Sequence, residues 1–250
     1  MKFRKYHGTG NDFLILDSVP TPEKIKQLCD RHFGIGADGI LVASPSTKAS
    51  IMMNYYNADG SVAKMCGNGL RCFVRYLHDE QLVDKNSFIV ETLAGLVPVS
   101  VIGKDISIDL GEITFGFHAA NITPMALAIE GVTVYPATLT TSHAIVFETV
   151  NEEELGPKIT SAPVFPDGVN TSFVDVQGPS ELFVRTHERG AGWTLSCGTG
   201  VAASAATAVQ LGKVKSPVQI RVPGGALTVR VDSTIILQGP AVKVAEGDVI

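Results

Sequence analysis

Apolar and polar residues alternate in several short stretches of this chain, which is the pattern of half-buried β-strands. In the clearest case, at residues 97–101 and 106–110, apolar residues recur at every second position on both sides of the turn at 103–105. Strict alternation around a glycine-containing turn predicts a β-hairpin. Further strands are predicted at residues 2–6, 13–17, 40–43, 51–56, 131–135, 143–149, 172–176, 181–186, 227–231 and 235–237.

Other stretches place apolar residues three or four positions apart, as on one face of a helix. Thr21 suits an N-cap, Pro22 suits the first helical position and Gly34 is a typical stop, so a helix is predicted between Pro22 and Gly34. Three further helices are predicted to begin near Cys66, Asn151 and Cys197, and the last runs through an alanine-rich stretch to Leu211.

An internal repeat organises these elements. Cys66-Gly67-Asn68-Gly69 in the first half of the chain matches Cys197-Gly198-Thr199-Gly200 in the second. A predicted helix and then a predicted hairpin follow each motif, and Asn57 and Glu188 stand at the same distance before the two cysteines. This repeat predicts two copies of one α/β unit related by a pseudo-dyad.

The repeat and the chain length together predict two domains. The chain has 250 residues, of which 45% are apolar, enough to bury a substantial core. We place the first domain at residues 1–115 and the second at residues 116–239, and we leave open that residues 240–250 return to the first domain.

The repeated motif has a direct chemical use. The first N–H groups of a helix lack partners within the helix and lie at the positive end of its dipole, so a glycine-rich helix start holds a carboxylate well. A cysteine at that position has a lowered pKa. Two such motifs around one substrate suit inversion at a carbon next to a carboxylate, where one thiolate removes the Cα proton and the other thiol returns one to the opposite face. No lysine-based pyridoxal signature is evident, so no cofactor is expected.

Charge and cysteine content exclude several classes of protein. The formal net charge is -5 and no basic run occurs, which argues against nucleic acid and membrane surfaces as partners. No signal peptide or long apolar segment is visible, so a cytoplasmic location and reduced thiols are expected. Cys29 and Cys72 are interpreted as packing residues. The six histidines show no metal-ligand spacing, so no metal is predicted.

Six segments of the chain form a specific series: His7 to Phe13, Gly34 to Gly39, Asn57 to Ser61, Met65 to Cys72, Glu188 to Gly192 and Ser196 to Gly200. By these segments, in this order, the chain resembles the diaminopimelate epimerase family over nearly its whole length. That resemblance implies an α/β (α+β) fold of two pseudo-symmetric domains, each a strand-rich, barrel-like sheet around a central helix, with the active site in the interdomain cleft. It also implies cofactor-independent interconversion of LL- and meso-diaminopimelate in lysine synthesis.

The resemblance also assigns roles to individual residues. Cys66 and Cys197 match the two catalytic bases, and Glu188 and Arg189 match residues that hold the reacting amino group and the far end of the substrate. His143 matches a histidine close to one catalytic thiol. Gly67, Asn68, Gly198 and Thr199 match the groups around the reacting carboxylate, and Asn11, Asn57 and Asn170 match residues that bind the distal amino-acid head.

Two positions depart from the family pattern. Thr141 stands where an asparagine that grips the distal end of the substrate is usual, and Trp193 stands where glutamate is usual. A threonine hydroxyl lacks the paired donor and acceptor of an amide. These departures leave open, as an alternative, a related racemase of a lysine-, ornithine- or histidine-like amino acid. A non-catalytic amino-acid-binding protein is a further alternative of a different class. The expected partner is a small-molecule amino acid, and a homodimer is left open.

The glycines between positions 34 and 39 are not predicted to bind a dinucleotide. Gly34, Gly36 and Gly39 satisfy the glycine spacing of a dinucleotide-binding turn. That site needs a strand before the glycines and a helix after them, whereas here a helix is predicted before them and a strand after them.

Overall fold

A computed structural model describes residues 1–116 and 125–249. The four helices within these residues are α1 (Pro22–Cys29), α2 (Gly67–Asp79), α3 (Glu152–Thr160) and α4 (Gly198–Gln210). The strands are β1 (Lys2–Gly8), β2 (Asn11–Leu16), β3 (Gly39–Ser44), β4 (Ile51–Asn57), β5 (Val62–Ala63), β6 (Ser87–Thr92), β7 (Gly95–Ile102), β8 (Asp105–Asp109), β9 (Thr114–Phe115), β10 (Leu127–Ile129), β11 (Val132–Leu139), β12 (Thr141–Val146), β13 (Asn170–Gly178), β14 (Glu181–Glu188), β15 (Gly192–Thr194), β16 (Val218–Val222), β17 (Gly225–Val231), β18 (Ile235–Pro240) and β19 (Val242–Asp248).

Contacts divide the chain into two compact units. The first comprises Met1–Ile108 with Gly239–Ile250, and the second comprises Asp109–Gln238. The boundary predicted at 115/116 lies a few residues beyond the division at Ile108. None of the helices in the described part of the chain is long and apolar enough to cross a membrane.

In the first unit, the sheet runs in the order β19, β1, β2, β3, β4, β6, β7, β8. The β2–β3 and β4–β6 pairs are parallel and the other pairs are antiparallel. The short strand β5 pairs with Tyr55 and Tyr56 near the C-terminal end of β4. The predicted hairpin at 97–110 is confirmed as β7 and β8.

The second unit repeats this order of pairing. Its sheet runs β10, β11, β12, β13, β14, β16, β17, β18, with β12–β13 and β14–β16 parallel and the other pairs antiparallel. The short strand β15 pairs with β14 as β5 pairs with β4. The duplication predicted from the two cysteine motifs is therefore present in the strand topology, and β12 is the counterpart of β2.

A buried helix occupies the centre of each unit. α2 packs against β1, β2, β4, β7 and β19, and α4 packs against β11, β12, β13, β14, β16 and β17. Nearly every residue of both helices is buried, so neither has a polar outer face. The alanines of α4 allow the surrounding strands to approach it closely. Each unit is thus a strand-rich α/β sheet around a central helix.

The first helix ends earlier than its pattern predicts. α1 has the predicted cap, since the Thr21 hydroxyl accepts a hydrogen bond from the Lys24 N–H, but it ends at Cys29 rather than near Gly34. The cause is Asp30, whose carboxylate accepts from the N–H groups of His32 and Phe33 at 2.7 Å and turns the chain out of the helix. A helix before the glycines at 34–39 and a strand after them are confirmed.

Candidate active site

The first unit places Cys66 at the start of its central helix. Cys66 is the N-cap of α2 in extended backbone conformation, and its Sγ accepts a hydrogen bond from the Gly69 N–H at 3.4 Å. Gly67 and Asn68 form the first turn, at the positive end of the helix dipole. The predicted glycine-rich helix start is therefore formed, with a half-buried thiol beside it.

Asn11 links this helix start to the neighbouring strands. Its Oδ1 accepts hydrogen bonds from the Cys66 thiol at 3.7 Å and from the Asn68 amide at 3.2 Å. Its Nδ2 donates to the Asp38 carboxylate at 2.6 Å, which fixes the orientation of the amide. Asp38 in turn forms an ion pair with Arg31 at 2.7 Å. The residue predicted to bind a distal amino-acid head thus presents its acceptor to a thiol.

Asn57 lies outside this network. It ends β4, its backbone N–H donates to the Ser61 carbonyl at 2.9 Å, and its amide donates to the Ser61 hydroxyl at 2.9 Å. No described hydrogen bond joins Asn57 to Cys66 or Asn11, so its predicted binding role remains a prediction.

The second unit places Cys197 at the start of α4, where the thiol is buried. The lowered pKa predicted for a cysteine at a helix start is wrong for Cys197. Burial raises the pKa of its thiol well above the ordinary value, and the negative charge of Glu188 raises it further. Hydrogen bonds from the Gly200 N–H and the Thr199 hydroxyl lower the pKa of Cys197, because they favour the thiolate. The Thr199 Oγ1 lies 3.7 Å from the sulfur.

Glu188 is held at the end of β14. Its carboxylate accepts a hydrogen bond from the Thr194 hydroxyl at 2.6 Å and interacts with the thiol of Cys197. Thr194 lies on β15, which pairs with β14. The carboxylate is therefore oriented next to the second thiol and carries a charge that a substrate ammonium group could neutralise.

A third polar cluster adjoins Thr199. The Thr141 Oγ1 lies 3.0 Å from His143 Nε2 and 3.4 Å from Thr199 Oγ1, and it accepts from the Asn170 amide at 3.4 Å. His143 is fully buried, and burial lowers its pKa to about 3, so its ring is neutral at physiological pH. The histidine predicted near a thiol therefore connects to Cys197 through two hydroxyl groups.

Arg189 is bound by residues of the second unit. Its backbone N–H donates to the Asn170 Oδ1 at 3.0 Å, and its guanidinium donates to the Asp167 carbonyl at 2.6 Å. Gly168, with a positive φ of 71°, leaves room for the Arg189 side chain, because a Cβ there would lie 2.9 Å from Cδ. Arg189 is exposed, so its predicted contact with the substrate stays a prediction.

Asp38 and Thr194 support side chains that contact the thiols, and neither had a predicted role. Asp38 orients Asn11, and Thr194 orients Glu188. Asp38 lies inside the Gly34–Gly39 segment that matched the family, which was the available signal. The available signal for Thr194 was the alternation of a β-strand, which places it on the opposite face of β15 from Trp193.

Trp193 packs against the body of the second unit. Its ring lies 5.9 Å from Phe173 and 5.4 Å from His187, measured between centroids, and the Arg185 guanidinium lies 4.6 Å above it. A Cβ on Gly156 of α3 would lie 2.8 Å from the indole. The tryptophan that replaces the usual glutamate at position 193 therefore packs against α3. Of the two residues that depart from the family pattern, Thr141 is the one connected to a thiol.

Replacing Trp193 by alanine is expected to lower the free energy of unfolding by about 3 kcal/mol, because it removes a large side chain from a packed cluster. Urea unfolding measures this loss, and Trp193→Phe, which keeps a ring, serves as the milder control. A Trp193→Ala protein of unchanged stability but altered substrate preference would instead place the indole in the substrate site.

Comparison with known proteins identifies the family of this chain. The family model described as diaminopimelate epimerase matches residues 3–116 and 142–249. A diaminopimelate epimerase of Caldanaerobacter subterraneus subsp. tengcongensis is 39% identical over an alignment 272 positions long, which covers 100% of this chain and 99% of that protein.

Solved structures show the same fold at low identity. A phenazine biosynthesis protein of the PhzF family from Bacillus anthracis has a TM-score of 0.75 and 18% identity, covering 100% of this chain and 99% of that one. A probable proline racemase from Agrobacterium radiobacter K84, with bound carbonate, has a TM-score of 0.74 and 14% identity, covering 100% and 92%. From the match of the family model and the full-length relative, this chain belongs to the diaminopimelate epimerase family.

Proposed function

We propose that this protein is an isomerase that interconverts LL- and meso-diaminopimelate, with Cys66 and Cys197 as its two acid–base groups and no cofactor. The observation that carries the proposal is the duplicated helix start, which presents one cysteine in each unit. Membership of the diaminopimelate epimerase family supports the substrate. Because this reaction belongs to lysine synthesis, we also propose a cytoplasmic location.

The proposed reaction moves one proton off Cα and another onto it. One cysteine, as a thiolate, takes the Cα proton and becomes a thiol, while the other, as a thiol, gives its proton to the opposite face and becomes a thiolate. Exchanging these roles runs the reaction in reverse. The carbanion formed between these steps is stabilised by N–H groups directed at the substrate carboxylate, for which Gly67, Asn68, Gly198 and Thr199 are the proposed positions.

Glu188 couples substrate binding to the reactivity of Cys197. Its negative charge raises the pKa of the thiol, and in the proposed complex it pairs with the ammonium group of the reacting centre. Pairing neutralises the charge that opposes ionisation, so the pKa of Cys197 falls when substrate is bound. The thiolate is therefore favoured in the complex, where it is needed.

A second candidate substrate class follows from Thr141. A threonine at this position cannot offer the paired donor and acceptor of an amide to a distal amino-acid head. Lysine, ornithine and histidine, which lack that head, are therefore the competing substrates.

The substrate is tested with purified protein in deuterated water. LL-diaminopimelate is expected to gain deuterium at Cα and to yield the meso form, while lysine, ornithine and histidine exchange at least about tenfold more slowly. Faster exchange with one of these three amino acids would transfer the assignment to that substrate. If none of the four compounds exchanged, the proposed epimerase activity would be wrong.

A further inference from the structure

The hydrogen bonds around Thr141 have a fixed direction. The Arg189 backbone N–H donates to the Asn170 Oδ1 at 3.0 Å, so the other end of that amide is its NH₂ group. This NH₂ group donates to the Thr141 Oγ1 at 3.4 Å. The orientation of Asn170 therefore makes Thr141 an acceptor on that side.

His143 supplies a second donor to the same oxygen. Its Nε2 lies 3.0 Å from the Thr141 Oγ1, and within the described residues its buried Nδ1 has no hydrogen-bond partner. A buried N–H without an acceptor is less favourable than a nitrogen lone pair without a donor. The proton of the neutral ring is therefore placed on Nε2, from which it is donated to Thr141.

These two donors determine where the Thr141 proton goes. A hydroxyl oxygen accepts two hydrogen bonds and donates one, and both acceptor positions are taken. The remaining neighbour is the Thr199 Oγ1 at 3.4 Å, so Thr141 donates to it. The Thr199 hydroxyl is then left to donate to the Cys197 sulfur at 3.7 Å.

We propose that Thr141 is a positioning residue that directs the Thr199 hydroxyl toward the sulfur of Cys197 and so stabilises the thiolate of this cysteine. The proposal deepens, and rests on, the proposed function, in which Cys197 is one of the two bases. It gives Asn170 and His143 a shared role as the donors that set the direction of the chain Asn170/His143–Thr141–Thr199–Cys197.

The two halves of the molecule differ at this position. Asn11 begins β2 and Thr141 begins the corresponding strand β12. In the first unit Asn11 accepts from the thiol of Cys66, which favours the protonated sulfur. In the second unit the counterpart chain donates to the sulfur. The departure from asparagine at position 141 thus makes the two thiols inequivalent.

The test measures how fast iodoacetamide alkylates Cys197 as a function of pH, with the labelled peptide identified by mass spectrometry. Within residues 1–116 and 125–249, two titratable side chains are connected to this thiol. Glu188 on β14 interacts with it directly, and His143 on β12 is connected through the chain and stays neutral over the range. Thr141→Val, which keeps the shape and removes the hydroxyl, is expected to shift the alkylation profile of Cys197 upward by about 0.5–1 pH unit. Thr141→Ser is expected to restore the original profile, and the profile of Cys66 is expected to stay in place.

An unchanged Cys197 profile in folded Thr141→Val protein would overturn the proposal. If that variant does not fold, ¹⁵N NMR of histidine in the unmodified protein tests the proposal by identifying the tautomer of His143. The proposal requires the neutral ring with its proton on Nε2. The Nδ1–H tautomer would reverse the chain and contradict the proposal. Neither measurement depends on turnover, so a failure of the diaminopimelate assay is distinguishable from a failure here.

Discussion

Replacing Cys66 or Cys197 by alanine is expected to reduce epimerisation of LL-diaminopimelate by about 10³-fold or more, because each variant retains one acid–base group for a reaction that needs two. The fold should survive, since each cysteine is the N-cap residue of a helix whose glycines and buried side chains remain. Chiral chromatography of the product measures the loss, and circular dichroism checks the fold.

Cys72 supplies the matched control. It lies inside the same helix that Cys66 begins, and its side chain is fully buried away from the helix start proposed to hold the substrate carboxylate. Cys72→Ala is therefore expected to retain epimerisation and to lose only about 1 kcal/mol of stability. Loss of activity in this variant, with Cys66→Ala still active, would reverse the assignment of the base on α2.

Replacing Glu188 by glutamine is expected to lower kcat/KM by about 100-fold, which corresponds to about 2.7 kcal/mol of lost transition-state stabilisation. The reason is that the proposed pair between this carboxylate and the substrate ammonium is lost while the shape of the side chain is kept. The same change removes a charge that raises the pKa of Cys197. A lower pKa gives more thiolate at a given pH, so the alkylation profile of Cys197 should move to lower pH.

Glu181→Gln is the matched control for this change, because Glu181 lies at the opposite, exposed end of the same strand. It is expected to change neither kcat/KM nor the Cys197 profile. A Glu188→Gln enzyme with unaltered kcat/KM would remove Glu188 from the substrate site. A profile that moved upward instead would contradict the electrostatic influence of this carboxylate on the thiol.

The repeat was visible in the sequence because its signals are local. The two cysteine motifs begin α2 and α4, and the alternating stretch at 97–110 forms a hairpin, as their patterns predict. The end of α1 was misplaced because the competing hydrogen bonds come from the side chain of Asp30, which periodicity does not register. Strands such as β6 and β16 were not predicted, since their positions depend on parallel pairing with distant strands.

In the candidate site, too, residues with a local sequence signal could be predicted, whereas contacts between distant parts of the chain could not. Cys66 and Cys197 could be singled out because each motif carries its own chemistry. Asp38 lies in a segment that matches the family, but its role could not be assigned, because its contact with Asn11 arises from the parallel register that brings β2 beside β3. The direction of the chain through Thr141 depends on Arg189 and on the buried, unpartnered Nδ1 of His143, both of which require coordinates.

The central claim is that two thiols, one from each half of the chain, serve opposite faces of one Cα. The most direct measurement is solvent deuterium exchange at Cα by Cys66→Ala and Cys197→Ala, each supplied separately with LL- and meso-diaminopimelate. The account predicts that each variant exchanges one configuration at the reacting carbon without inverting it, and that the two variants exchange opposite configurations. Inversion by either variant, or exchange of the same configuration by both, would contradict it.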